Sequence, residues 1–127
     1  MRFVPSKLQE RDENGNVIGF WPAAFAHRDV EDYLSVNWLE YFEGAHASNA
    51  AACKAGIQTV LKSSTAMFGV AQVGRVKALA QHNAKPVRIV YYPNSSNNPS
   101  HSAIFMDPPA PDTVCEDMAR EFYKERY

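Results

Sequence analysis

Acidic residues are missing from the middle of this 127-residue chain, since no Asp or Glu occurs in residues 44–106. The same stretch holds six Lys or Arg and three of the four His. Residues 1–43 carry eight acids against four bases, and residues 107–127 carry six against three. The overall charge of −1 therefore conceals a cationic middle between two acidic flanks. Such segregation favours either an anionic ligand on the middle segment or acidic flanks that fold back onto it.

Cysteine and histidine are too few and too scattered to indicate a disulfide framework or a metal centre. Cys53 and Cys115 fall on apolar faces of predicted helices, where a free buried thiol is the ordinary state in a reducing compartment. No HxH, HxxxH or HExxH pair occurs, and no GxxxxGK[ST] or GxGxxG phosphate-binding loop is present. We therefore predict no metal ion and no bound cofactor.

Long apolar runs are also absent, because no stretch approaches the roughly 20 apolar residues that a membrane-spanning helix needs. The first residues, MRFVPSKLQERDENGN, become polar early and lack the apolar segment of a signal peptide. We therefore expect a cytoplasmic protein without a membrane partner. The length fits a single domain, residues 1–127, which can bury a core without disulfide or metal support.

What the chain does contain is an alternation of strand and helix patterns. The predicted elements are a short strand at 2–4, a hairpin at Asn14-Gly15, strands at 67–73, 87–92 and 101–106, and helices at 48–61, from Gly74 and from Asp112. We expect 87–92 and 101–106 to be adjacent antiparallel strands. The order predicts a single α+β domain with a mixed or antiparallel sheet of about four to six strands and three to four helices. The predicted core contains Phe68, Ile89, Ile104, Met118 and Phe122.

Residues 29–43 fit two different structures. Their apolar side chains recur every four residues, as in one amphipathic helix. Alternatively, residues 34–36 form a strand and a helix begins after Asn37, which would then be the capping residue. We favour the strand followed by the helix, because the β-branched Val36 beside Ser35 suits the end of a strand.

The polar segment that leads into Ser100, His101 and Ser102 is the first candidate site. Its side chains offer many hydrogen-bond donors without negative charge, as in sites for phosphate, carboxylate or an RNA backbone. The alternative is a solvated loop in which His101 satisfies a backbone carbonyl. For a ligand site we expect His101 beside a concave surface that also receives Arg75 or Arg28, because a lone neutral His binds anions poorly.

His27 and Arg28 form the second candidate, adjacent on a predicted loop. An imidazole there would supply a proton and the guanidinium would hold an anion. Equally, Asp29 caps the next helix and Arg28 pairs with a neighbouring acid. The two interpretations stay open on the sequence.

Further candidates for ligand contacts come from β-strand and helix positions. Ser35 and Asn37 share a face if their segment is a strand, although packing and capping account for both residues. Arg75 and Lys77 follow Gly74 at a predicted helix N-terminus, where exposed N–H groups attract phosphate, although one Gly is not a phosphate loop. We expect four aromatic residues in the core: Trp21, Trp38, Tyr41 and Phe42. Tyr91 and Tyr92 are interleaved with the bases of the middle segment, which leaves stacking on nucleic-acid bases as the alternative.

Three segments resemble a small uncharacterised bacterial family. They are residues 23–38, which carry an "AF…D..LSVN" pattern, residues 73–76, and residues 98–104, which carry "NP.H..I". The resemblance covers most of the chain, implies one compact domain and assigns no activity. A second similarity, to ADP-ribosyltransferase-type domains, rests on Arg2 and Ser35, and the acid-free middle offers no Glu for the third position.

Two functions are compatible with these patterns. The first is binding of an anionic ligand, a nucleotide or nucleic acid, by the cationic middle and the His101 loop, with phosphoryl or glycosyl transfer by His27 and His101 as its enzymatic extension. The second is a protein-interaction or accessory module whose acidic flanks meet a basic partner or neutralise the middle. The position of the six bases distinguishes them: one exposed face favours the first, and dispersal or pairing with flank acids favours the second.

Overall fold

The computed structural model describes residues 1–27, 32–61, 65–93, 98–106 and 112–127, with the backbone alone for 58–61. Its strands are β1 (Arg2–Val4), β2 (Gln9–Arg11), β3 (Val17–Phe20), β4 (Tyr33–Asn37), β5 (Met67–Val70), β6 (Arg88–Tyr91), β7 (His101–Phe105) and β8 (Glu125–Arg126). Its α-helices are α1 (His46–Leu61), α2 (Val73–His82) and α3 (Asp112–Tyr123). The predicted α+β class is confirmed. Among these residues no helix combines the length and apolar character that crossing a bilayer requires.

The strands form three small antiparallel sheets. The first has the order β1-β5-β8, the second pairs β2 with β3, and the third has the order β4-β7-β6. The predicted neighbours β6 and β7 do pair antiparallel, with Ile89 opposite Ile104. The hairpin predicted at Asn14-Gly15 is also confirmed, and Gly15 adopts the left-handed conformation that its turn requires (φ 81°).

The ambiguous segment is a strand followed by a short 3-10 helix. Tyr33–Asn37 is β4 and Leu39–Phe42 is the 3-10 helix. A single helix over 29–43 is therefore wrong, because pairing with β7 outweighs the helical periodicity of the apolar residues. Asn37 is not the capping residue: Trp38 occupies that position and forms no side-chain capping bond.

The buried side chains form two clusters. The larger includes Phe25, Leu34, Ile104, Met118 and Phe122. The smaller includes Leu39, Cys53, Ile57 and Phe68. The expectation that Phe68 is buried with Ile104, Met118 and Phe122 is therefore wrong, and Ile89 is only partly buried at the edge of the larger cluster. Alternation along β5 explains the separation, since neighbouring side chains of a strand point to opposite faces.

Gly69 on β5 allows α3 to lie close to the first sheet. A Cβ atom at this position would be 2.7 Å from the carbonyl oxygen of Phe122 and 2.8 Å from a ring carbon of Phe20. Both distances are shorter than a van der Waals contact allows. One of the two atoms belongs to the backbone and cannot easily move away. The absence of a side chain is therefore a requirement of this packing.

We predict that Gly69→Ala destabilises the protein by about 1–3 kcal/mol, because a backbone carbonyl and a packed ring must both move. Gly74→Ala is the control. Nothing lies within 4 Å of a Cβ at this position in α2, so the substitution should be neutral or stabilising by about 0.5–1 kcal/mol. Urea denaturation of both variants measures the difference. A Gly69→Ala protein as stable as the wild type would contradict the packing described.

Candidate functional site

A network of polar side chains joins the end of β4 to the start of β7. The amide nitrogen of Asn37 donates to Asn98 Oδ1 at 2.5 Å and to Ser100 Oγ at 2.8 Å. The backbone N–H of Trp38 donates to the carbonyl of Ser100 at 2.9 Å. Because Asn37 and Ser100 are buried, these bonds satisfy polar groups that water does not reach. The network holds the segment before β7 against β4.

His101 is a buried residue of β7, not part of an open loop. Its side chain is 3% exposed, with Nδ1 2.5 Å from the carbonyl oxygen of Tyr92 and Nε2 3.2 Å from Ser35 Oγ. A carbonyl oxygen only accepts hydrogen bonds, so Nδ1 carries the proton of the neutral ring. Nε2 then accepts the hydroxyl proton of Ser35. The two contacts hold the imidazole in one tautomer and one orientation.

Five of the sequence-predicted site residues thus meet where β4 pairs with β7: Ser35, Asn37, Ser100, His101 and Ser102. The hydroxyl of Ser102 donates to the carbonyl of Ser100 at 3.3 Å. Residue type and strand alternation were sufficient to nominate these side chains, and the antiparallel register with Asn37 opposite His101 brings them together.

The remaining candidates lie elsewhere or outside the described residues. His27 is partly buried after the 3-10 helix Pro22–Ala24. Arg28 falls outside the described residues. Lys77 is exposed on α2, and Arg75 Nε lies 3.7 Å from a carboxylate oxygen of Glu121. None of the hydrogen bonds described above involves His27, Arg75 or Lys77.

The described bases of the cationic middle are distributed over several elements, with Lys54 on α1, Arg75 and Lys77 on α2 and Arg88 on β6. Lys54 Nζ is 5.5 Å from the centroid of an aromatic ring in the first sheet, and the Arg88 guanidinium is 4.6 Å from the centroid of one in the third. Arg75 faces Glu121 in the acidic last segment, and Lys62 is outside the described residues. The described part of the middle segment therefore presents dispersed cations.

A cavity of about 680 Å³ lies on the face of the third sheet that is opposite to Ser35 and His101. Its apolar wall includes Val36, Val76, Ile89, Ile104 and Phe122, which come from β4, α2, β6, β7 and α3. Its polar lining includes Asn37, Glu40, His46, Gln72, Ser102 and Glu125. Several elements thus enclose a mostly apolar space with a few polar groups, which is the usual composition of a small-molecule site.

Three aromatic rings form a cluster at this cavity. Trp38 and Tyr91 line it, and their ring centroids are 6.1 Å apart. Tyr41 stacks on Tyr91 at 5.9 Å and contacts Trp38 edge-on at 6.4 Å. Trp38, Tyr41 and Tyr91 are 46%, 37% and 45% exposed, and Trp21 is 47% exposed. The expectation of a core position for Trp21, Trp38 and Tyr41 is therefore wrong. Such clustered exposure marks an interaction site more often than isolated surface residues do.

The charged groups of the cavity are predominantly acidic. Glu40 and Glu125 contribute carboxylates, and the described lining contains neither Lys nor Arg. The amino group of Met1 also belongs to the lining, and burial lowers its pKa to about 6, so it is mostly uncharged at neutral pH. His46 Nε2 lies 2.5 Å from Glu125 Oε1, at an exposed position. The potential inside therefore favours a neutral or cationic ligand over a phosphate group.

The thiol of Cys53 lies beside the polar network. Its Sγ is 3.4 Å from Ser100 Oγ and 3.9 Å from the carbonyl oxygen of Trp38. Burial raises the pKa of Cys53, and burial also raises the pKa of Cys115. The predicted free, buried state of both cysteines is confirmed. Among the described residues, no group of three or more His, Cys, Asp or Glu could hold a metal ion.

We predict that the two thiols make stability depend on pH in the alkaline range. A thiol whose pKa is higher in the folded than in the unfolded state contributes stability below the unfolded pKa, about 8.5, and loses it as the pH rises through the folded pKa. The free energy of unfolding should fall more steeply above this pH in the wild type than in a Cys53→Ala, Cys115→Ala variant. Urea denaturation at neutral and alkaline pH measures both slopes. Equal slopes would contradict the burial of the thiols.

We also predict that Asn37 and Ser100 are energetically coupled. Asn37→Ala leaves the buried hydroxyl of Ser100 without its donor, at a cost of about 1–3 kcal/mol. In the double variant Asn37→Ala, Ser100→Ala, the loss in free energy of unfolding should be smaller than the sum of the two single losses by about 0.5–3 kcal/mol. The control cycle pairs Asn37→Ala with Asn83→Ala, whose amide bonds Leu79 and Asp117 instead, and should be additive. Additivity in both cycles would show that the network is energetically unimportant.

Comparisons with known proteins supply no relative: no family model matches this sequence, and neither curated proteins nor solved structures yielded a match.

Proposed function

We propose that this domain binds a small ligand with a flat nitrogenous ring, of the nucleobase or nucleoside type, in the cavity beside Trp38 and Tyr91. The supporting observation is the exposed aromatic cluster on a preformed cavity of about 680 Å³. That volume lies within the range of about 300–1,000 Å³ that is typical of small-molecule sites. The domain offers both a stacking surface and an enclosed space.

Stacking supplies the main attraction in this proposal. The Trp38 and Tyr91 rings remain nearly half exposed, so each has surface to offer a planar ligand. A base stacked on an aromatic side chain gains about 1–3 kcal/mol. The carboxylate of Glu40 and the amide of Gln72 lie in the same lining and can accept hydrogen bonds from ring N–H or amino groups.

The charge of the ligand follows from the lining. Two carboxylates without a described Lys or Arg oppose a phosphate inside the cavity. The cationic middle segment led us to expect a nucleotide or a single-stranded nucleic acid as the ligand. The base of such a ligand would occupy the cavity, and its phosphate would lie outside. The two free, buried thiols fit a reducing compartment, and we propose a cytoplasmic location.

A protein-interaction role is the second candidate. The described bases are dispersed, and Arg75 faces Glu121 of the acidic last segment. This arrangement is expected if the acidic flanking segments neutralise the charge of the cationic middle segment. The aromatic cluster would then bury an apolar side chain of a partner protein, as aromatic residues do at the centres of interfaces.

We predict that Trp38→Ala and Tyr91→Ala each weaken nucleoside binding by about 5–100-fold, the loss of one stacking contact. Trp21→Ala is the matched control, since Trp21 is 47% exposed and does not line the cavity. Titration of a Trp21→Phe protein reports on Trp38 fluorescence alone, because the chain has two Trp. Thermal shifts provide a second measurement, and a ligand at 100 times its Kd stabilises by about 2.7 kcal/mol.

The ligands tested are a nucleoside, the matching nucleotide and a short oligonucleotide. Equal or tighter binding of the nucleoside supports the proposal, and a preference for the nucleotide would assign the phosphate to a cationic contact outside the cavity. If no compound of the three shifts the melting temperature, or if Trp21→Ala weakens binding as much as Trp38→Ala, the cavity is not a site for this class of ligand. Copurification of a protein partner that Trp38→Ala releases would then support the second candidate.

A further inference from the structure

The face of the third sheet that points away from the cavity carries a second arrangement of reactive groups. Ser35 lies opposite Ala103 on β7, and Val36 lies opposite Ser102. Val36 and Ser102 line the cavity, whereas Ser35 and its partner His101 do not. Because neighbouring side chains of a strand point to opposite faces, the Ser35–His101 pair is separate from the proposed ligand site.

We propose that Ser35 and His101 are a nucleophile and its general base, and that they catalyse acyl transfer from an ester. Ser35 Oγ is 3.2 Å from His101 Nε2, and the carbonyl of Tyr92 binds Nδ1 at 2.5 Å. The carbonyl fixes the tautomer, so that the lone pair of Nε2 faces the hydroxyl. A hydroxyl, a base within hydrogen-bond reach and a third group that orients the base are the parts of an activated serine.

Accessibility differs between the two side chains in the way this chemistry needs. Ser35 is partly exposed, whereas His101 is 3% exposed. A substrate can therefore approach the hydroxyl, while the imidazole is shielded from water and held in place from both ring nitrogens. The buried Nε2 needs a hydrogen-bond partner, and here a residue that is partly exposed supplies it.

Positive charge and a backbone donor lie next to the hydroxyl. Arg2 Nη1 donates to the carbonyl oxygen of Ser35 at 2.7 Å, and Nη2 donates to that of Ala24 at 3.0 Å. The N–H and C=O of one residue in an antiparallel strand point to the same side, so the N–H of Ser35 is directed to the edge where Arg2 lies. The guanidinium already donates to two backbone carbonyls through Nε, Nη1 and Nη2, so it contributes positive charge near Ser35. The N–H of Ser35 is then the donor to the oxyanion that forms when Ser35 attacks a carbonyl.

The surroundings of Ser35 indicate the substrate class. Tyr33 packs against Tyr92 with ring centroids 5.3 Å apart and against Phe105 at 5.4 Å, and the guanidinium of Arg88 lies 4.6 Å from the Phe105 centroid. Tyr33 and Phe105 are opposite each other in the register, on the same face as Ser35. Aromatic rings beside the hydroxyl suit an aryl or short apolar acyl group, and Arg88 suits a carboxylate further along it.

The reaction proceeds in two balanced halves. Ser35 Oγ forms a bond to the ester carbonyl carbon, and its proton passes to His101 Nε2. The tetrahedral intermediate then breaks the bond to the leaving alcohol oxygen, which receives that proton, and an acyl-Ser35 remains. Water repeats the sequence with His101 as base, releases the carboxylic acid and restores the Ser35 hydroxyl.

The test uses a fluorophosphonate, which forms a P–O bond with an activated serine and loses fluoride. Incubation of the full chain should give a single covalent adduct in intact-mass spectra, and peptide mapping should place it on Ser35. Hydrolysis of p-nitrophenyl acetate should be above the background rate. Ser35→Ala should abolish the adduct and lower hydrolysis about 10²–10⁴-fold, the usual contribution of an activated nucleophile with its base.

Ser48→Ala is the matched control, because Ser48 is an exposed serine of α1 that lies outside the cavity lining and outside the described contacts of His101. It should leave the adduct unchanged. His101→Gln can still donate to the carbonyl of Tyr92 but cannot take up a proton, so it should lower the labelling rate to the level of Ser35→Ala with little change in melting temperature. If His101→Gln unfolds the protein, the proposal is tested by the position of the adduct in the wild type and by its loss in Ser35→Ala.

Three outcomes would overturn the proposal: no adduct on the wild-type protein, an adduct that persists in Ser35→Ala, or equal loss in Ser48→Ala. The readout does not involve nucleoside binding. Trp38→Ala should leave labelling unchanged, so failure of the cavity proposal and failure of this one are distinguishable.

Discussion

The pairing of β4 with β7 is the contact on which both candidate sites depend. It joins residues that are more than 60 positions apart in the sequence, as in the bond from Asn37 to Ser100. A slip of one residue in this pair would reverse the face on which every side chain of the strand lies. The Asn37 amide forms its two hydrogen bonds in the observed register. In a shifted register these buried polar groups would lose their partners, which is costly. Asn37 therefore helps to specify the register as well as to stabilise it.

Strand alternation then distributes chemistry between two faces. Val36 and Ile104 point into the cavity, and Ser35 and His101 point away from it. One short strand thus contributes Val36 to the cavity and Ser35 to the polar pair, and Asn37 at its end lines the cavity as well.

Local features of the fold were predictable from the sequence, and long-range pairing was not. The Asn14-Gly15 hairpin, the β6–β7 neighbours and the amphipathic α3 depend on turn chemistry or periodicity within short windows. The first sheet pairs β1 with β5 and β5 with β8, which are far apart in sequence, and no local pattern encodes that choice. The same limit applies to the sites. Residue type nominated Ser35 and His101, but their mutual distance is a property of the register.

Charge shows a related difference between sequence and structure. The acid-free middle suggested a basic surface, yet Lys54 and Arg88 lie over aromatic rings and Arg75 faces Glu121. The acids of the last segment also have partners within α3 or just after it, since Arg120 pairs with Asp117 and Lys124 with Glu121. Pairs of this kind near the surface contribute about 0–1 kcal/mol each, so they add little to stability. The electrostatic preference of the cavity therefore depends on Glu40 and Glu125 in its lining, and the charge of the surrounding sequence segment is a poor guide to it.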